Sequence, residues 1–94
     1  MNKSPMLLDV VKVKVKPNYQ LWLEFENGEW RTFDMNPFLE KGVFRQLQDS
    51  RLFSAAHVDY GTVVWPGGID MAPETLYDLS QPIDRANYQS QYII

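Results

Sequence analysis

The chain has no cysteine and a single histidine. Without cysteine there are no disulfides, no thiolate nucleophiles and no thiolate metal sites. His57 would need carboxylates to complete a zinc site, which is poor chemistry for that ion. Phosphate loops, dinucleotide fingerprints, EF-hand loops and Gly-x-Ser-x-Gly elbows are also missing. No stretch approaches the roughly 18 apolar residues of a membrane span. The N-terminal "MNKSPMLLDVVKVKVK" lacks the apolar run of a signal peptide, so a cytoplasmic protein is expected. There is no basic excess: nine Lys and Arg stand against twelve Asp and Glu, for a net charge of −3. Phosphate-directed binding needs the opposite balance, so direct nucleic-acid binding is disfavoured.

What is present suits one small globular domain. The chain has 94 residues, of which 45% are hydrophobic and 14% aromatic. That length supports a single modest core. Val11, Val13 and Val15 alternate with Lys12, Lys14 and Lys16, the period of a strand with one wet face. "YQLWLEF" from Tyr19 to Phe25 places Leu21, Leu23 and Phe25 on one face, with Gln20, Trp22 and Glu24 on the other. Asn27-Gly28 predicts a tight hairpin with positive φ at both positions. "EWRTFD" then completes a three-strand meander.

Asn36 and Pro37 fit the cap and first position of a short helix closed by Gly42. Phe44–Asp49 reads as a second. Ala55–Tyr60 and Thr62–Trp65 read as two more strands joined at Gly61. Pro66-Gly67-Gly68 breaks the last of them, and Pro73 opens a final helix with Leu76, Tyr77 and Leu79 on its apolar side. The expected fold is α+β. It has one antiparallel sheet of about five short strands, including the N-terminal meander, with two or three short helices on one face. Residues 1–79 form the domain. Residues 80–94, polar and Gln-rich until Tyr92-Ile93-Ile94, read as an appended tail.

Each candidate site has a structural reading beside the functional one. Trp65, Asp70 and Glu74 fall within ten residues and could hold a cation or perform acid–base chemistry. Helix capping explains both carboxylates equally well, with Trp65 as core, and that reading is preferred. His57 reads as a half-exposed strand residue. The lysine stripe reads as edge protection, with Glu24, Glu26 and Glu29 available as cross-strand partners. Trp22 and Trp30 share the face opposite the leucines. That face is either an exposed interaction patch or a second covered face, and the sequence leaves both open. The tail adds Tyr88, Tyr92, Ile93 and Ile94, a terminal apolar segment able to add a strand to another sheet.

"LEFENGEWRTFDMNPFLEKGVFRQLQD", followed by "VVWPGGIDMAPETLY", resembles the domain-of-unknown-function 2442 family of small bacterial proteins. The resemblance runs from about Val10 to Leu79. Its most specific part is Trp65-Pro66, Gly68-Ile69-Asp70 and Pro73-Glu74-x-Leu76-Tyr77; Gly67 departs from the family's frequent Asn. It implies an α+β fold of the NE-type N-terminal-domain kind, and it brings no catalytic residues. Members beside another small protein suggest toxin–antitoxin-like pairing. The resulting expectation is a non-enzymatic interaction or regulatory module, with Trp22, Trp30, Tyr88, Tyr92, Ile93 and Ile94 as its contact residues. Its partner would be another small protein or a second copy, as in a homodimer. The alternative is a small ligand-binding domain or enzyme using the Trp65–Glu74 loop. No catalytic residue, metal ligand or cofactor is assigned.

Overall fold

The computed structural model describes residues 8–83 of the chain. Within them, the alternating stretches become strands because every second side chain can then share one buried face. In chain order these are β1 (Val10–Lys16), β2 (Gln20–Phe25), β3 (Trp30–Asp34), β4 (His57–Asp59), β5 (Thr62–Trp65), β6 (Ile69–Met71) and β7 (Gln81–Pro82). They form two antiparallel sheets, ordered β1-β2-β3-β7 and β4-β5-β6. The expected single sheet of about five strands is thus corrected to two sheets of four and three strands. The additional strands, β6 and β7, have three and two residues, too few to display a period.

Turn chemistry departs from expectation in one place. Phe25 N–H donates to Glu29 O at 2.9 Å, and Gly28 N–H donates back to Phe25 O at 2.8 Å. The loop therefore has three residues, and only Gly28 takes a positive φ (+89°). Asn27 serves through its side chain instead, accepting from Glu29 N–H. This is the three-residue hairpin that ends in a left-handed glycine. The two-residue turn with both φ values positive occurs at Tyr60-Gly61, between the paired residues Asp59 and Thr62.

β1 also shifts by one residue. Val10 pairs with Phe25 but Lys12 pairs with Glu24, so the strand bulges at Val11. The bulge turns Val10 into the core and leaves Val11 46% exposed. Val13 and Val15 pack against the core as expected.

The helical segments are short. Two 3₁₀ turns span Asn36–Phe38 and Gly42–Gln48, followed by α1 (Ser50–Phe53) and α2 (Pro73–Leu79). Asn36 lies inside the first turn and makes no cap bond there. Its amide donates to Asn18 O and Asp34 Oδ1, tying the turn to the β1–β2 loop. Gly42 opens the second turn and does not close the first. Asp49 is the working cap, accepting from Arg51 N–H at α1. α2 begins at Pro73 with Glu74 in its first turn, as the sequence predicts. Leu76 is buried and Tyr77 half-buried, but Leu79 points outward at 59% exposure.

One core joins all of these elements. Leu21, Leu23, Phe25 and Phe33 come from the first sheet, and Val63, Trp65, Ile69 and Met71 from the second. Leu47, Phe53 and Leu76 come from the helical segments. Ring packing is specific, with Phe33 stacked on Phe38 and Phe53 stacked on Trp65.

Candidate interaction face

The outer face of the four-stranded sheet follows from its register. Lys12, Glu24 and Trp30 form one row across β1, β2 and β3; Lys14, Trp22 and Thr32 form the next; Lys16, Gln20 and Asp34 form the third. The two tryptophans therefore sit on adjacent rows of neighbouring strands. Lysines reach them diagonally: Lys16 Nζ lies 4.3 Å from the Trp22 ring centroid, and Lys14 Nζ 5.4 Å from that of Trp30. Each such contact is worth ~0.5–1 kcal/mol near a surface. The stems spread over the rings while the ammonium groups stay near water. Trp22 is only 6% exposed although it belongs to this outer face, and Trp30 is half-buried. Lys12 approaches Glu24 at 3.8 Å, the cross-strand pair anticipated from the alternation.

The third row carries a polar network. Asp34 Oδ1 accepts from Gln20 Nε2, Asn36 N–H and Asn36 Nδ2. Partial burial pushes the Asp34 carboxyl up. The bonds from Asn36 and Gln20 together outweigh that effect and hold it below the ordinary value of 3.8.

The far edge of the sheet is where the chain leaves. Arg31 lies on the core side of β3 and donates from Nε to Ser80 Oγ at 2.6 Å and from Nη2 to Ser80 O at 2.9 Å. Its guanidinium also meets Glu29 at 3.0 Å and stacks 4.2 Å from the Tyr77 centroid. Tyr77 OH donates to the Glu29 carboxylate, which raises the phenol's pKa above 10.0. These contacts hold the end of α2 against β3. β7 then pairs with β3, and Ile83 N–H donates to Trp30 O at 2.9 Å. Residues 80–83, read from sequence as the start of the tail, are thus bonded to the sheet. Tyr88, Tyr92, Ile93 and Ile94 lie outside the described residues.

The Trp65–Glu74 loop does not gather its functional candidates. Trp65 is fully buried and its Nε1–H donates to Phe53 O at 3.0 Å. Pro66, Gly67 and Gly68 form a hairpin tip between the paired residues Trp65 and Ile69. Alternation along β6 buries Ile69 and Met71 and turns Asp70 to solvent. The cap position of α2 is Ala72, without a side-chain bond, so the expected capping role of Asp70 is corrected. Glu74 keeps the expected place near the helix N-terminus. His57 is exposed on β4, with Nδ1 3.1 Å from Ala55 O. Among the described residues, no group of three or more His, Asp or Glu is placed to hold a metal. No described helix is long and apolar enough to cross a membrane.

Sequence reasoning passed over Tyr60, which is 92% exposed at the β4–β5 tip with a φ of 54°. An aromatic residue immediately before a hairpin glycine was the available signal.

A family model described as "Protein of unknown function (DUF2442)" matches residues 10–82, which run from the first residue of β1 to the last of β7. The chain belongs to this family. No curated protein and no solved structure matches it.

Proposed function

We propose that the chain is a non-enzymatic protein-interaction or regulatory module, of the kind that forms the antitoxin-like half of a two-protein system. Its partner is another small protein or a second copy of itself. Its contact residues are Trp22, Trp30, Tyr88, Tyr92, Ile93 and Ile94. The observation that carries this reading is the hydrogen bond from Ile83 N–H to Trp30 O. It starts the C-terminal segment at the strand that bears Trp30, so aromatic face and terminal segment form one continuous surface. The Arg31–Ser80 bonds fix that starting point. An apolar terminus delivered from a sheet edge has the form of a strand donor.

The enzyme or ligand-binding alternative needs Trp65, Asp70 and Glu74 to converge. Trp65 instead belongs to the core and Asp70 faces outward, which weighs against it.

The test compares the full chain with a variant lacking residues 84–94, each isolated from its own cell extract and weighed by light scattering. The expected result is an assembly for the full chain and a single folded chain for the variant, with an unchanged unfolding midpoint. Full assembly by the truncated protein, or its unfolding, would overturn the reading.

A further inference from the structure

Two tyrosines occupy the left-handed region that bulky side chains avoid: Tyr19 (φ 60°) and Tyr60 (φ 54°). Tyr19 is held there by tertiary contacts. Its hydroxyl donates to Gln48 O, its carbonyl accepts from Met35 N–H, and its ring meets Phe53 edge-on at 5.0 Å. Tyr60 has no such restraint among the described residues and is 92% exposed. Asn or Gly would satisfy the same turn without strain. A strained, solvated aromatic at a hairpin tip is a residue whose contact lies outside the chain.

Its surroundings indicate what that contact is. The tip is fastened to β1 by Val10 N–H donating to Gly61 O at 2.9 Å. The Asp9 carboxylate lies against Gly61, so close that a Cβ there would sit 2.8 Å from Asp9 Cγ. Asp59 is exposed on the other side of Tyr60. The Val10 end of β1 therefore carries an acidic aromatic knob, and Lys12, Lys14 and Lys16 run from it to the opposite end. β1 is also an edge strand. One edge thus bears both halves of a complementary pair, separated by roughly 20 Å at the usual rise of a strand.

We propose that this edge is a two-fold symmetric homodimer surface. A two-fold axis passing Val13 sets the β1 strands antiparallel, so Val10 of one copy lies opposite Lys16 of the other. Tyr60 of each copy then seats on the Lys14–Lys16 end of the second copy, with Asp59 facing Lys16. Such an arrangement is isologous and closed, with both knobs used. Cation–π and charge contacts carry it, so it weakens with salt. This inference rests on the interaction-module reading and names the second copy as the partner.

The test uses the purified full chain alone, by sedimentation equilibrium. The wild type is expected to be a dimer whose dissociation constant rises with salt. Asp59→Lys and Lys16→Asp, each alone, place like charges at both ends of the contact and dissociate at least tenfold more readily. An equimolar mixture of the two variants restores opposite charges at both contacts and re-forms the dimer. Tyr60→Asn weakens association by a similar factor without lowering the unfolding midpoint, a combination that a purely structural tyrosine would not give. A wild type monomeric at all concentrations overturns the proposal. So does a mixture that stays monomeric, or a Tyr60→Asn chain that dimerises normally. If the mixture fails while loss of residues 84–94 still abolishes assembly in the extract, this surface is overturned and the module reading stands.

Discussion

Arg31 and Ser80 are joined twice across 49 positions of chain, through the Ser80 hydroxyl and the Ser80 carbonyl. Ser80 Oγ in turn donates to Tyr77 O at 2.8 Å, so one serine closes α2 and anchors β7. The fork geometry of a guanidinium suits this double contact, whereas an ammonium could satisfy only part of it.

Arg31→Ala is therefore expected to lower stability by about 2 kcal/mol, because partly buried charge-assisted bonds are lost. Arg31→Lys should recover little of that. Urea unfolding of the three proteins measures it. A loss below about 0.5 kcal/mol, the range of ordinary surface changes, would contradict the anchoring role.

Asp34 sets an acid limb. Its folded pKa lies below 3.8, so its contribution is complete above the unfolded value and is lost as pH falls through the folded one. Wild type should exceed Asp34→Asn in stability at pH 6, and the gap should close progressively below 3.8. Parallel acid-unfolding curves for the two proteins would rule this out.

Asp70→Asn should change stability by no more than about 0.5 kcal/mol, since Asp70 is exposed and caps nothing. The helix-cap alternative demands a loss of about 1 kcal/mol. Thermal unfolding of the pair separates the two.

Gly61→Ala should destabilise by more than about 1 kcal/mol, the amount a strain-free glycine replacement would gain. The φ of +74° and the Asp9 carboxylate 2.8 Å from the new Cβ both oppose it. Combining it with Asp9→Ala should restore part of the loss, leaving the strain of the backbone alone. Equal losses in both backgrounds would mean that Asp9 gives way freely.

The meander was legible because Leu21, Leu23 and Phe25 alternate with Gln20, Trp22 and Glu24 over six paired positions, and the side-chain period of a strand is local. Trp65 as core, the last helix from Pro73 and the Tyr60-Gly61 turn were legible for the same kind of reason. Val11 was not, because a bulge reverses the facing of residues on either side of it and depends on the partner strand. Nor was Asn36, whose amide chose Asn18 and Asp34 over a helix N–H once the first hairpin had closed beside it.

The sequence by itself determined an α+β domain, its alternating faces, and the placing of lysines and tryptophans on one side of the first sheet. Those features need only neighbours along one chain segment. The tertiary structure alone decided that the strands divide into two sheets and that Asp70 is turned away from Trp65. It also joined Arg31 to Ser80 and brought Asp9 beneath Gly61. These pairings bring together residues distant in sequence, and their geometry is set by how the elements pack around the shared core.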